Sequence, residues 1–291
     1  MRVRKRYFII LGLIIWGPGI VCGQRTPLFP EYDHNPLIVN PAYAGMTSGS
    51  VTSLSHNRYI NNMEGAPQSS SLSHHSPLLD GKMGLGAIIT NEKIGVTAST
   101  SAVAAYSYKL LFGTKRNRSS WNTYAHVFSF GITAGFQRIR DNLLELGVED
   151  DPEFAKNLTE TSLVIGAGFL YNKNDFFIGA SVPNLLEERA AYGYAGYRFF
   201  ADQSESVFLK PSALVKYEKG APVQIDINLA ATLNDKVEIG TGYRSTSSLN
   251  FLAGVYPIEQ LRVIYYYNLG LQNEVLGNNH GIIASFAFGY D

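Results

Sequence analysis

From about residue 82 to its end, the chain alternates apolar and polar residues with a period of two, the signature of a half-buried strand. In APVQIDINLAATL, Val223, Ile225, Ile227, Leu229 and Ala231 share one face, while Gln224, Asp226, Asn228, Ala230 and Thr232 share the other. In HVFSFGITAGFQ, His126, Phe128, Phe130, Ile132, Ala134 and Phe136 lie opposite Val127, Ser129, Gly131, Thr133, Gly135 and Gln137. The closing stretch, HGIIASFAFGYD, puts Ile282, Ala284, Phe286, Phe288 and Tyr290 together. About 14 such segments can be counted between turn signals. Two weak ones lie at 50–58 and 68–74. The others are 82–90, 97–112, 125–137, 162–171, 175–182, 192–200, 206–217, 222–233, 236–245, 248–257, 260–269 and 280–290. Several approach the roughly 9–11 residues that a tilted strand needs to cross a bilayer. An even strand count with both ends on one side predicts an all-β fold, a transmembrane antiparallel β-barrel.

The loops agree with that reading. If the first strand runs outward, the periplasmic connections include Asn172 to Asn174, Leu233 to Asp235 and Pro257 to Glu259, all short. The opposite side carries the longest loop, 138–161, together with 183–191 and 270–279. Short periplasmic turns and longer outer loops are the barrel habit. The basic connection 113–124 is the exception, since this register leaves it periplasmic. Within 138–161, Leu143, Leu144 and Leu146 are spaced for a short helix.

Composition separates the barrel from a soluble β-sandwich, which would also alternate. The 291 residues are 45% hydrophobic, 12% aromatic and only 16% charged. A sandwich of this size would carry more charge on its solvent faces, whereas here the non-apolar face is Gly, Ser, Thr and Asn. Glycines fall in pairs on that face: Gly84 and Gly86, Gly131 and Gly135, Gly166 and Gly168, Gly240 and Gly242. In a barrel they line the lumen. Glycine inside a strand marks either a bend or a close backbone approach, so these pairs signal curvature, or room for something threaded inside, or both. Candidate lumen charges are few and mixed in sign: Lys82, Lys109, Asp226, Glu238, Arg244 and Arg262.

The N-terminus adds an address. Arg2, Arg4, Lys5 and Arg6 precede an apolar run from Tyr7 to Trp16, broken by Gly17 and Pro18. This is the layout of a secretory signal peptide, and the run is too short to span a membrane comfortably. Cleavage is expected near Gly23, leaving Gln24 first. Lipidation at Cys22 is the other reading, opposed by the bulky Val21 before it. Loss of those four basic residues from 24 Lys+Arg leaves 20 against 24 Asp+Glu, a formal charge of −4. Nothing here points to nucleic acid. With Cys22 the sole cysteine, a disulfide framework and a thiolate metal site are both excluded. The expected organisation is a signal at 1–23, an N-terminal periplasmic segment at 24–49 and a barrel at 50–291.

Residues 35–50 of that segment read NPLIVNPAYAGMTSGS. Asn35 and Asn40 each precede proline and are pushed towards extended geometry. Pro36 and Pro41 lack a donor, which discourages sheet pairing. Tyr43 is an amphipathic anchor, and Gly45 frees the backbone before the first strand. Asn40, Pro41, Ala42, Tyr43 and Gly45 are therefore the candidate plug or partner segment. The expectation is that it folds into or across the periplasmic mouth, with Tyr43 on the glycine wall and Pro41 fixing its entry; a plain tether with a turn is the alternative.

No catalytic, cofactor or metal site is legible. His74 and His75 are adjacent on a strand and point to opposite faces. Asp150-Asp151 and Glu187-Glu188 fall in expected outer loops as solvated charges. No nucleophile elbow occurs, and the Gly-x-Gly pairs lack the strand-to-helix context of a dinucleotide site.

An ordered set of short motifs runs along the mature chain: NPAYAG at 40–45, GAPQSSSLSHHSPL at 65–78, GLGAIITNEKIG at 84–95, YSYKL at 106–110, FGITAGF at 130–136, DPEF at 151–154, FFIGASVPNLL at 176–186, KPSALVKY at 210–217 and GTGYRSTSS at 240–248. Their order and spacing resemble the PorP/SprF family of type IX secretion outer-membrane proteins. That resemblance implies a Bacteroidota outer-membrane barrel without catalysis or cofactor. It also implies work with the secretion and gliding machinery and a large partner adhesin bearing a type IX C-terminal sorting domain. Two motifs depart from the family pattern: the first strand reads Asn57-Arg58-Tyr59, and the last begins NNHGI. A passive or ligand-selective outer-membrane channel is the competing function; it would need an open pore with clustered lumen charge.

Overall fold

The computed structural model describes residues 29–60, 65–112, 126–146, 156–187, 190–201, 206–245, 248–271 and 277–289. The expected signal segment with Cys22, the whole basic connection 113–124, Asp150-Asp151 and Glu188 lie outside the described residues. Among the described residues no helix is long and apolar enough to cross a membrane.

One antiparallel sheet closes on itself. Its strands are β1 (Ser50–Ile60), β2 (Gln68–Leu78), β3 (Met83–Ile94), β4 (Thr97–Leu111), β5 (His126–Asp141), β6 (Leu158–Lys173) and β7 (Phe176–Val182). These are followed by β8 (Ala191–Tyr197), β9 (Phe199–Phe200), β10 (Val207–Tyr217), β11 (Gln224–Leu233), β12 (Val237–Arg244), β13 (Ser248–Ile258), β14 (Leu261–Gly270) and β15 (Asn278–Phe288). β8 and β9 both pair with β10 and form one stave interrupted at Arg198. The closed barrel therefore has 14 staves. β15 seals it against β1, with Ser50 opposite Phe288 and Ile60 opposite Asn278.

Each predicted segment is a strand, and β5 and β6 run longer than their alternation suggested. They pair from His126↔Lys173 to Asp141↔Leu158. Arg138 and Arg140 point outward beyond the last outward apolar residue, Phe136, so the ladder continues past the apolar band. The long loop shrinks to 142–157, and the short helix within it is a 3-10 helix at Leu143–Leu146. At the β11–β12 turn, Asn234 and Asp235 take φ of 52° and 49°. Both tolerate that left-handed region, which suits a tight hairpin.

The exposed large apolar residues sit on the outer face: Phe130, Ile132 and Phe136 on β5, Ile225, Ile227 and Leu229 on β11. This is the outward apolar surface of a membrane barrel. The buried apolar residues are inside, and many belong to the segment before β1: Leu37, Val39, Ala42, Ala44 and Met46. They pack against wall residues such as Val127, Leu170, Leu214, Leu252 and Ile264. Burying a Leu, Val or Met side chain fully contributes about 1.5–3 kcal/mol. The barrel's core is thus its occupied lumen.

Candidate functional site: a segment latched inside the lumen

Residues 29–49 run inside the barrel, from α1 (Phe29–His34) through two 3-10 turns, Pro36–Ile38 and Pro41–Tyr43. Each turn begins on a proline, whose missing N–H is no loss at a first turn. Asn40 is extended before Pro41, and its side chain accepts from Ala42 N at 2.9 Å. Its amide also donates to Phe169 O at 2.8 Å and Tyr194 Oη at 3.0 Å. One fully buried amide therefore ties the turn to β6 and β8.

Short turns leave carbonyls without partners, and a buried orphan is costly. Wall serines meet that need. Ser181 Oγ donates to Val39 O at 2.7 Å, Ser129 Oγ to Ala42 O at 2.6 Å and Ser107 Oγ to Ala44 O at 2.7 Å. Ser73 Oγ donates to Asn35 Oδ1 at 3.0 Å, and Gly45 N reaches His75 Nδ1 at 3.3 Å.

Glycines give the segment its room, though only some of them. A Cβ on Gly131 would lie 2.6 Å from Ala42 Cα, and one on Gly168 would lie 3.0 Å from Pro41 Cδ and closer still to Asn40. Gly84 faces Ala44 in the same way. Gly135, Gly166, Gly240 and Gly242 also face the lumen, but a Cβ there would meet neighbouring wall or loop: Val103, Pro183, Leu252 and Asn228 respectively. Room and close wall packing thus fall on different glycines.

Tyr43 departs from its expected place. It packs edge-on against His75, with ring centroids 5.7 Å apart, because the glycine wall is already covered by the Asn40–Ala42 backbone. His74 points outward and His75 inward, as alternation requires.

Charges hold the helix end. Glu31 accepts from Ser55 Oγ at 3.2 Å and Asn57 Nδ2 at 3.1 Å. Asp33 pairs with Lys210 Nζ at 2.6 Å. His34 Nε2 lies 3.3 Å from Glu238 Oε1, while Arg262 Nη2 donates to His34 O at 2.6 Å. Tyr256 Oη donates to the other Glu238 oxygen at 2.7 Å. Burial lowers the His34 pKa below the ordinary histidine value, with Glu238 opposing; the neutral imidazole is the resident form. Burial also raises the Tyr32 and Tyr43 hydroxyls above their ordinary value.

The remaining predicted lumen charges divide. Arg244 grips Asp226 with two donors, Nε at 3.0 Å and Nη2 at 2.7 Å, on the wall beside Tyr32. Lys109 is buried, with no hydrogen-bond partner for its ammonium among the described residues. Lys82 lies in the β2–β3 turn and is exposed, so it is no lumen charge. The ligand atoms of Asp33, His34 and Glu238 lie within 4.8 Å of one another, close enough for a metal. Lys210 already neutralises Asp33, and Arg262 sits on the His34 carbonyl, so the cluster reads as an ion-pair latch.

Asn40, Pro41, Ala42 and Gly45, singled out from the sequence, lie in the lumen segment; the α1 charges and the wall serines were not singled out. Two of the serines neighbour glycine on the lumen face, Ser129 with Gly131 and Ser181 with Gly179, and that pattern was the available signal.

The family described as type IX secretion system membrane protein PorP/SprF matches residues 21–286. Among solved structures, the outer membrane protein Omp33 of Acinetobacter baumannii is 7% identical with a TM-score of 0.50, over 84% of this chain and 100% of its own. A Pseudomonas aeruginosa FadL homologue is 12% identical with a TM-score of 0.50, over 94% of this chain and 97% of its own. Both are similar in fold alone. Among curated proteins no relative matches the chain.

Proposed function

The chain belongs to the PorP/SprF family of type IX secretion system membrane proteins, and from that premise we propose that it serves in the outer membrane as a non-catalytic secretion barrel. It assists export or surface anchoring of a large adhesin with a type IX C-terminal sorting domain, alongside the secretion and gliding components. The observation that carries this reading over a passive channel is the occupied lumen. Residues 29–49 fill it with buried apolar side chains, serine-to-carbonyl hydrogen bonds and ion pairs. A diffusion pore needs an aqueous path, whereas this interior is packed and its charges, Lys109 apart, are mostly paired in opposite signs.

The test is isolation of the full protein in mild detergent from its native host, together with surface display of the adhesin in a deletion strain. A co-purifying large surface protein, lost from the cell surface on deletion and regained with the wild-type chain, supports the reading. Isolation without any such partner, combined with clean single-barrel conductance, overturns it.

A further inference from the structure

We propose that the lipid-facing side of β1 and β2 is an interface for the wall of a second, different membrane barrel. This inference rests on the barrel's membrane placement and not on the export reading. On β11 and β13 the outward residues are apolar: Ile225, Ile227, Leu229 and Ala231, and Leu249, Phe251, Ala253 and Val255. On β1 and β2 they are Thr52, His56, Arg58, Ser70, His74 and Ser76, with Leu54 and Leu72 between. Polar side chains facing hydrocarbon are expensive and mark a place where something other than lipid sits.

The stripe is organised across the strand pair. Thr52 faces His74 and His56 faces Ser70 in register. Thr52 Oγ1 and His74 Nδ1 are 3.0 Å apart, and His56 Nδ1 and Ser70 Oγ are 2.9 Å apart. Each imidazole is engaged through Nδ1, and His74 also stacks on Phe288 with ring centroids 5.8 Å apart. The flanking strands carry apolar outward residues beside most of it, Leu85, Ala87 and Ile89 on β3 and Ile282 and Phe286 on β15, and turn polar only at its outer end, with Asn91 on β3 opposite Ser70 and His280 on β15 opposite Arg58. Below that end the stripe is two strands wide, roughly 10 Å at the usual strand spacing. Two convex barrels touching side by side meet along such a strip.

Charge selects the occupant. Arg58 lies towards the outer end of the stripe, exposed and without an ion-pair partner among the described residues. A second copy related by a twofold axis along the membrane normal would set Arg58 level with its own equivalent, like against like. A different barrel with a carboxylate at that rim and hydrogen-bonding side chains below it fits both features.

The experiment places a photo-crosslinking residue at Leu72 in the full chain, in native-host membranes, with Phe251 on the apolar wall as control. We expect a covalent product with another barrel protein from Leu72, lipid adducts only from Phe251, and an acidic residue in the partner near the crosslinked peptide. Arg58→Glu should cut that product at least tenfold, and so should the double change Thr52→Val with His74→Leu. Each variant is first shown to migrate differently boiled and unboiled, so that loss of product is not loss of fold. Lipid adducts alone at Leu72, a product with a second copy, or a product unmoved by both variants overturns the proposal.

Discussion

Replacing Gly131 by alanine should unseat the lumen segment without opening the barrel. The added Cβ would lie 2.6 Å from Ala42 Cα, with Ala42 N and the Pro41 carbonyl carbon closer still. Ordinary contact begins at 3.4 Å and Ala42 N would lie at 2.2 Å, so the segment must retreat by about 1.2 Å. That retreat stretches the Ser129 Oγ to Ala42 O bond from 2.6 Å to about 3.8 Å, beyond the useful range of an O–H···O bond. Ser107 to Ala44 O and Asn40 to Phe169 O lie on either side of the same turn and move with it. Three net hydrogen bonds at about 1 kcal/mol each amount to roughly 3 kcal/mol, or about a hundredfold in the docked-to-released equilibrium. The assay is maleimide labelling of a cysteine placed at the buried Met46, since Cys22, the only native cysteine, precedes the expected cleavage point. Labelling through transient release follows the open population when reclosing is fast. Gly131→Ala should label about a hundredfold faster than wild type. Gly193→Ala, where a Cβ meets nothing within 4 Å, should not differ from wild type. Equal rates in the two variants, with unboiled migration intact, would refute the steric reasoning.

The same labelling assay checks two further outcomes, and gel migration checks a third. Asn40→Ala removes the turn's cap and leaves Phe169 O and the Tyr194 hydroxyl without their partner, at a cost of about 2–3 kcal/mol, so release should rise some thirtyfold or more. Docking should weaken on acidification through His34. Its pKa is lowered in the docked state, so the released state binds the extra proton, and stability is full above about pH 6.5 and falls below it. The groups facing it are Asp33, Glu238, Arg262 and Lys210; labelling should quicken by up to about tenfold per pH unit below 6.5, and His34→Gln should flatten that dependence. Arg244→Met strands the buried Asp226 carboxylate and should cost about 3–5 kcal/mol, read as a lower melting temperature in boiled-versus-unboiled migration; adding Asp226→Asn should recover most of it.

Alternation made the staves legible because a barrel wall has two chemically different sides, and every strand records them with period two. It failed at the ends of β5 and β6. Arg138, Arg140 and Glu160 read as loop, yet backbone pairing does not require apolar side chains and simply extends beyond the membrane. The glycine pairs were visible, but their separate duties were not. Gly131 and Gly135 are four residues apart on one face, and only contact with the segment distinguishes them. Docking itself left no local trace. Asn40 meets Phe169 across 129 positions of sequence, and no periodicity encodes a pairing of that range.

The segment and the wall nevertheless explain each other. Proline at 36 and 41 forces tight turns whose carbonyls cannot all be satisfied within the segment. A wall of valine and leucine would have left those oxygens orphaned, and a wall of long polar residues would have left no space. Serine is the smallest side chain that donates, and glycine the only residue that yields its whole side-chain volume. Ser107, Ser129 and Ser181 placed among Gly84, Gly131 and Gly168 therefore solve both demands on one inward face. The low charge of the chain follows as well. Most of the lumen wall needs neutral donors rather than ions, and the charge that touches the segment is kept for α1, where Asp33 meets Lys210 and Glu238 faces the neutral His34. A lumen built this way is matched to one particular peptide, which is why its composition resembles neither a water-filled pore nor an apolar protein core.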